Sequence, residues 1–372
     1  MKQKLSFLLL LFLLMCFVSI FSMCSGSKNN SENNPLTFQK NFSFFSFESE
    51  AKTTAENSFE SPKIRISENL NARSLEDKDS SFRFTGIGYE DFKIFDESTE
   101  TIITVSNSDF LPGAIAVEMP LSYPEEALKA QAVAAYTYYS RLREQNRTSK
   151  TPSPYDFSAN VKNWKVYVTS EEMENRWGDN FQEYYTKLTD IANSVKDEAL
   201  YYDGELALCT YYAISSGKTE ACEEVWGGEY DYLIPVDSSG DIYAEGYETT
   251  VTVSPEEVKA AAKQKWPEAD LSIPVQNWFG ETEKTSSGTV QTILLGGEKA
   301  KGEDIRIAFG LRSANFEIAY DNGNFIFTVK GYGHGVGMSQ TGACYMAKQG
   351  SSYQEILQWY YPGTELLKSN LI

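Results

Sequence analysis

The sequence predicts an α+β fold of mainly antiparallel sheets with a few helices packed around a groove, preceded by an N-terminal membrane helix. Short strand patterns bounded by turn residues recur along the chain, and helix patterns stand among them without regular strand–helix–strand alternation. The first residues add an uncharged stretch, Leu5–Met23. These observations divide the chain into an N-terminal anchor or signal of residues 1–24, a polar spacer of residues 25–80 and a folded domain of residues 81–372.

The N-terminal segment has the length and charge of a single membrane span. Leu5–Met23 nearly covers a bilayer core, which takes roughly 20 residues as a helix. Ser22–Cys24 fits a small-residue cleavage site poorly, so we interpret the segment as an uncleaved anchor, with a cleaved signal and a secreted protein as the alternative. Lys2 and Lys4 would hold the N-terminus in the cytoplasm. In either case the residues after Ser25 are expected outside the cytoplasm.

The composition excludes some partners and permits others. The formal charge of −19 argues against nucleic acid, because phosphate contacts need clustered Lys and Arg. Aromatic residues make up 14% of the chain, which suits a groove for sugars, whose apolar faces stack on such rings. A tyrosine-rich β fold is the alternative explanation. The spacer is rich in Ser, Asn, Glu and Lys, and this composition predicts disorder.

A hairpin and a helix open the folded domain. Phe92–Phe95 and Thr101–Val105 flank a run of turn-forming and acidic residues and are predicted to pair. Ser108 and Asp109 are candidate caps for the helix that follows, and this helix should end before Pro120.

A second helix follows at once. Pro124 and two acidic residues open it, as is common in the first turn of a helix, and it should run to about Arg143. Apolar side chains at spacings of four and three predict one buried face, made of Leu128, Ala132, Ala135, Tyr139 and Leu142.

The remaining elements are shorter and are predicted from local patterns. Strands are expected at Ala199–Tyr202 and Leu206–Ala213 around an Asp-Gly turn, and then at Thr289–Leu295, Asp304–Ala308 and Phe325–Val329. Helices are expected from Ser254 to about Trp266 and over Ser352–Tyr361, where Pro362 and Gly363 stop the second of them.

The chain contains a single histidine, His334, within the glycine-rich stretch Gly331–Gln340. Alternating glycines let a backbone adopt unusual angles or approach a ligand closely, so His334 is equally well explained as ligand-facing or structural. One histidine rules out a two-His zinc site, and no GxSxG elbow is present for a serine triad. A Cys344–His334 pair is formally possible, but Cys344 lies in a predicted helix among small apolar residues and we interpret it as buried.

Glu118 is the carboxylate whose surroundings best suit acid–base chemistry. It is the only charged residue between Asp109 and Glu125, within an apolar run. A carboxyl group in apolar company has a raised pKa, which a general acid needs. An exposed glutamate at the end of a helix is the alternative.

Several blocks of sequence resemble one family. Asp109–Pro120 reads DFLPGAIAVEMP and Pro124–Ala135 reads PEEALKAQAVAA. The other matching blocks, in order, are Ser215–Glu220, Val225–Gly227, Tyr232–Leu233, Gly310–Ser313, Gly331–Ala343 and Tyr360–Thr364. Together they resemble the stage II sporulation protein D and amidase-enhancer family over roughly residues 85–372.

The resemblance implies a peptidoglycan lytic transglycosylase in which Glu118, in the EMP motif, is the catalytic acid/base. Such an enzyme needs one carboxylate, because the 6-hydroxyl of muramic acid attacks and leaves a 1,6-anhydro end. The residues expected to line the substrate groove are Gln131, Tyr136, Ser216, Thr219, His334, Ser339 and Gln340. The implied partners are peptidoglycan strands, the cytoplasmic membrane and a cell-wall amidase or other wall-remodelling membrane proteins.

This sequence departs from the family pattern in three ways, one of which is its long acidic spacer. Tyr136 stands where the family commonly has arginine. Some members bind zinc through a cysteine-containing loop, but the stretch Tyr155–Tyr167 has no cysteine, so we expect no metal or other cofactor. The pairing of Cys209 and Cys222 stays open. The alternative function is a protein that binds the wall and stimulates an amidase without cutting glycan itself.

Overall fold

The computed structural model of the chain describes residues 91–159 and 166–368, which all belong to one compact unit. The predicted anchor and spacer, and the start of the predicted domain, lie outside the described residues. Within the described ranges no helix is both long and apolar enough to cross a membrane.

Helices and strands alternate irregularly along the chain. The helices are α1 Asn107–Glu118, α2 Glu125–Arg147, α3 Ser170–Trp177, α4 Phe181–Ser194, α5 Cys222–Trp226, α6 Pro255–Lys265, α7 Gly302–Phe309, α8 Gln340–Lys348 and α9 Tyr353–Tyr360. The strands are β1 Phe92–Asp96, β2 Thr101–Val105, β3 Phe157–Ala159, β4 Glu198–Tyr202, β5 Glu205–Leu206, β6 Tyr211–Tyr212, β7 Glu248–Val253, β8 Phe279–Lys284, β9 Val290–Leu295, β10 Glu298–Lys301, β11 Phe316–Asp321, β12 Asn324–Lys330, β13 Met338–Ser339 and β14 Glu365–Lys368.

Most strand pairs are antiparallel, as predicted. The antiparallel sheets have the orders β10-β9-β8, β11-β12-β7 and β14-β4-β5. Two pairs are parallel: β1 with β3, and β6 with β13. The second parallel pair positions the functional site, because it places Met338 beside Tyr211 and Ser339 beside Tyr212.

Helix α2 is the central element of the domain. Nearly all of its side chains from Ala127 to Ser140 are buried, and its alanines allow close approach on several sides. One side contributes Leu128 to a core shared with α8 and α9. Another contributes Tyr139 to a core shared with β1 and β3. A third core lies among β7 to β12 and contains Trp278 and Phe327.

The hairpin and helix predictions are largely confirmed. β1 and β2 pair as an antiparallel hairpin, and α6 begins at the capping residue Ser254. For α1 the predicted cap is wrong: the hydroxyl of Ser106, two residues earlier, accepts a hydrogen bond from the backbone N–H of Asp109. Ser108 and Asp109 therefore lie inside the first turn, where an acidic side chain favours the helix dipole.

Two strand predictions are wrong. Asp304–Ala308 lies in helix α7, which Gly302 starts and Gly310 ends in a left-handed conformation. Acidic residues in its first turn favour the helix, and Gly302 lies so close to β9 that a Cβ would overlap the carbonyl oxygen of Val290. Leu206–Ala213 is not one strand either. The pairing of β5 with β4 ends at Leu206, and Tyr211 begins a separate strand, β6, which pairs with β13.

Candidate active site

Glu118 is the last residue of α1. Met119 precedes Pro120, and a residue before proline is pushed out of the helical region, so Met119 is extended and the helix ends there. The half-buried Glu118 carboxyl faces the first residue of α8, Gln340, whose Nε2 donates a hydrogen bond of 2.9 Å to Glu118 Oε2. The same nitrogen lies 3.4 Å from Oε1 of Gln131 on α2. Gln340, more than 200 residues away in sequence, therefore joins the ends of the carboxyl and amide side chains on α1 and α2.

Burial raises the pKa of Glu118 to about 7, and the hydrogen bond from Gln340 acts in the opposite direction. The position at the end of α1 works with burial, since the C-terminus of a helix carries a partial negative charge that disfavours a carboxylate. A carboxyl group with this pKa is both protonated and ionised in appreciable amounts near neutral pH. It can therefore give a proton and take one back.

Tyrosines lie near enough to Glu118 to interact with its charge. Burial, together with the negative charge of Glu118, raises the pKa of Tyr139 and of Tyr211 well above the usual value. Tyr138 and Tyr139 contact edge to face, with ring centroids 5.2 Å apart. All of these groups are neutral at physiological pH, which keeps the surroundings of the carboxyl weakly polar.

His334 lies behind Tyr211 and is fixed in one tautomer. Its Nδ1 accepts a hydrogen bond of 3.2 Å from the backbone N–H of Val336, so Nδ1 carries no proton. Nε2 then carries the proton and donates it to the carbonyl oxygen of Tyr211 at 3.1 Å. Burial, helped by the positive charge of Arg306, lowers the pKa of His334 to about 3. The ring is thus neutral, with both nitrogens occupied by backbone, and packs on Trp226 with centroids 4.8 Å apart.

The glycine-rich stretch lets the chain reach Gln340 along the inside of the molecule. Gly331, Gly333, Gly335 and Gly337 all have φ between 78° and 120°, a conformation that favours glycine. At Gly337 a Cβ would also overlap the carbonyl oxygen of Thr210. The backbone therefore passes close beside its neighbours and then enters β13.

A buried carboxyl group, which sequence reasoning missed, holds the start of α8. Asp241 is fully buried and accepts hydrogen bonds of 2.5 Å from Ser339 Oγ, 2.6 Å from Ser238 Oγ and 2.9 Å from the backbone N–H of Ser215. Burial raises its pKa to about 6, against the effect of these donors. Ser339 also caps α8 by accepting from the N–H of Gly342. Asp241 thus fixes the residue next to Gln340.

Comparison with known proteins shows the family to which this domain belongs. A family model described as stage II sporulation protein matches residues 96–202, which include Glu118. Stage II sporulation protein D of Bacillus amyloliquefaciens is 33% identical over 278 residues, covering 74% of this chain and 78% of that protein. The chain belongs to the stage II sporulation protein D family.

Two further members extend the comparison. Stage II sporulation protein D of Bacillus subtilis (strain 168) is 31% identical over 277 residues, covering 74% of this chain and 79% of that protein. The amidase enhancer of the same strain is 28% identical over 305 residues, covering 69% of this chain but 40% of that protein. The family resemblance stated from the motifs is therefore confirmed.

Four of the residues predicted from the family motifs lie at or directly behind Glu118. Gln340 and Gln131 form the contacts described above, and His334 and Ser339 support the backbone that carries Gln340. The signal in the sequence was the EMP motif together with the glycine-rich block. Tyr139 and Tyr211, which also border Glu118, carried no comparable signal.

The other three predicted residues lie elsewhere in the family domain. Tyr136 is buried against Phe92 in the core on the other side of α2, because five residues of helix turn it away from Gln131. Thr219 is buried, and its hydroxyl is bonded to the backbone of Ile234 and Val236. Ser216 is half-buried, and its carbonyl oxygen accepts from the hydroxyl of Tyr247.

The three cysteines within residues 91–159 and 166–368 are unpaired thiols. Cys209, Cys222 and Cys344 are all free and buried, so Cys209 and Cys222 form no disulfide. In the part of the chain that the structure describes, no group of three or more His, Cys, Asp or Glu side chains could hold a metal ion. The stretch Tyr155–Tyr167 is only partly described, since residues 160–165 are not.

Proposed function

We propose that this protein is a peptidoglycan lytic transglycosylase that cuts glycan strands and leaves 1,6-anhydro-muramic ends. The observation that carries the proposal is the Glu118 carboxyl, held by Gln340, with a pKa of about 7. In the proposed reaction protonated Glu118 gives its proton to the glycosidic oxygen as the bond to the muramic acid carbon breaks. The resulting carboxylate then takes the proton of the 6-hydroxyl group, which attacks the same carbon.

Each proton is accounted for by one residue in this scheme, so no second carboxylate and no attacking water are needed. Gln340 engages Oε2 and orients the group. Burial keeps an appreciable fraction of the carboxyl protonated near neutral pH, ready to act as the acid. We also propose that residues 1–24 tether the domain outside the cytoplasmic membrane, where peptidoglycan lies.

The decisive experiment is Glu118→Gln. The amide keeps the shape and can still hydrogen-bond, but it has no proton to give and cannot act as a base. Loss of general acid–base catalysis should lower the rate by about 10²- to 10⁴-fold. The measurement is mass spectrometry of products released from purified peptidoglycan by the full chain, with circular dichroism to show that the variant is folded. Undiminished release of anhydro products by Glu118→Gln would contradict the mechanism.

The family member named amidase enhancer supports a second candidate, a protein that binds the wall and stimulates a cell-wall amidase. This function makes the opposite forecast. The wild type would release no anhydro ends, and Glu118→Gln would stimulate an amidase as well as the wild type does. Assaying both proteins on whole and on peptide-stripped peptidoglycan, with and without an amidase, separates the two functions.

A further inference from the structure

A turn of 3-10 helix, Ser239–Tyr243, is bordered by exposed aromatic side chains. Tyr243 lies within it and is 76% exposed. Tyr345 of α8 and Trp359 of α9 flank it and are 38% and 37% exposed. We call these three side chains the aromatic platform.

The platform is rigid although it is exposed. The rings of Tyr243 and Tyr345 are stacked, with centroids 6.0 Å apart and planes 20° apart. The Tyr345 ring lies against Gly240, where a Cβ would overlap it. The indole N–H of Trp359 donates to the carbonyl oxygen of Asp237 at 2.8 Å, so its polar atom is already paired. Pre-ordered rings lose little conformational entropy when a ligand binds.

The platform is continuous with the Glu118 site. Asp241, in the same turn, bonds to Ser339, and the next residue is Gln340. Thr341 and Tyr345 lie four residues apart on one face of α8, about 6 Å along its axis. The hydroxyl of Thr341 lies 3.4 Å from that of Tyr123, in the loop that follows Glu118. One face of α8 therefore leads from the loop that follows Glu118 to the platform.

We propose that the aromatic platform is a glycan subsite that binds sugar rings of the same strand away from the bond at Glu118. This inference rests on the proposed function. The apolar faces of sugar rings stack on flat aromatic rings, and a polymeric substrate extends beyond the bond that is cut. The exposed Asp237 and Ser239, joined by a 2.9 Å hydrogen bond, offer polar atoms for sugar hydroxyls at the edge of the platform. The Asp237 carboxylate disfavours an anionic lipid surface as the occupant.

The test measures binding to glycan strands of two lengths. The full chain carrying Glu118→Gln, which should bind without cutting, is titrated with peptide-stripped long strands and with tetrasaccharide fragments. Adding Tyr243→Ala should weaken binding to long strands by roughly 2- to 10-fold, as expected for one lost aromatic contact. The ratio of the affinity for long strands to the affinity for tetrasaccharides should therefore fall. Tyr243→Phe should restore it, since Phe keeps the ring.

Tyr320→Ala is the matched control, because Tyr320 on β11 is also 38% exposed but lies outside the platform. Trp359→Ala provides a second platform variant. If both platform variants bind long strands as tightly as Tyr320→Ala, while the wild type releases anhydro products, the subsite is wrong and the proposed function stands. If the wild type neither binds nor cuts strands, both proposals fail. If the platform variants no longer stimulate an amidase but still bind glycan strands, the subsite is also wrong.

Discussion

At the scale of single residues, two opposing effects set the pKa of the Glu118 carboxyl. Burial raises its pKa, and the amide of Gln340 lowers it by stabilising the ionised form. The balance lies at about 7, where the same group can serve as acid and then as base. Gln340 should therefore control both where the group points and the pH at which it works.

Gln340→Met tests this control. Methionine is similar in size but donates no hydrogen bond, so the pKa of Glu118 should rise further above its usual value. Because the first step needs protonated Glu118, activity is lost as pH rises through that pKa. The variant should therefore have a lower maximal rate, and the basic limb of its pH–rate profile should move to higher pH.

The measurement is the rate of product release between about pH 5 and pH 9, a range that brackets the Glu118 pKa of about 7. Gln358→Met, an exposed position on α9, is the control and should leave the profile unchanged. A basic limb that stays in place or moves to lower pH would show that Gln340 does not set the pKa of Glu118.

The apolar surroundings of Glu118 could be predicted from sequence because a lone charge in an apolar run is visible without any contacts. Asp241 could not, since its role depends on Ser339, which is 98 residues away. Tyr136 illustrates the opposite error. Its position beside a family motif suggested the groove, but the rotation of α2 carries it into the core.

At the scale of elements, the site depends on how β13 enters α8. The chain reaches this point through glycines with positive φ, and Gly337 lies against the carbonyl oxygen of Thr210. Any side chain there must move the backbone that carries Met338 and Ser339. A small change in this segment should therefore reach Gln340.

Gly337→Ala should lower both stability and activity. Alanine combines an unfavourable φ with an overlap that neither backbone can relieve, so the free energy of unfolding should fall by about 2 kcal/mol or more. Urea denaturation measures this loss. Gly323→Ala is the control, because Gly323 has the same φ of 82° but open space around it.

Gly323→Ala should cost only the conformational strain, about 1 kcal/mol, and should leave activity intact. Equal losses in the two variants would mean that the close approach to Thr210 contributes nothing.

Element predictions succeeded where a local signal was complete. Ser254 and Ser352 each begin a helix with a capping box, and both helices were predicted. Asp304–Ala308 was predicted as a strand because its apolar residues alternate over a short run, although its acidic first turn favours a helix. The helix Ser170–Trp177 was missed even though Thr169 and Glu172 form a capping box.

At the scale of the whole molecule, the core among β7 to β12 meets the rest of the domain at a buried carboxyl group. Glu220 is 1% exposed, and its Oε1 accepts a hydrogen bond of 3.1 Å from Thr285 Oγ1. Ser287 Oγ donates to the carbonyl oxygen of Thr219 at 2.7 Å beside it. Burial raises the pKa of Glu220 above its usual value.

Glu220→Gln should therefore change how stability depends on pH. A raised folded pKa means that the stability contributed by Glu220 is present below its unfolded pKa and is lost as pH rises through the folded value. Glutamine mimics the protonated form at every pH. The free energy of unfolding of the variant relative to wild type should increase between pH 4 and pH 8, because only the wild type loses stability as Glu220 ionises.

Urea denaturation of both proteins at the two pH values gives this difference, and the other buried acids cancel because they are common to both. A difference that does not change with pH would contradict the prediction. Glu223→Gln, on an exposed side chain of α5, is the control for the removal of a surface charge.

The α+β class and the antiparallel sheets could be predicted because hairpins join neighbours in sequence. The parallel pair of β6 and β13 could not, since Tyr211 and Met338 lie far apart along the chain and neither strand exceeds two residues. Such short pairings are decided by packing around α2 and not by local pattern. The site is built on one of these pairings.

The fixed ring of His334 has a practical consequence for magnetic resonance. The chain has one histidine, so its imidazole proton and nitrogen signals need no assignment by mutagenesis. The ring joins the backbone of Val336 to that of Tyr211, and Tyr211 borders Glu118. Its nitrogen resonances thus form a built-in reporter, which can follow the packing behind the carboxyl while a sugar strand enters.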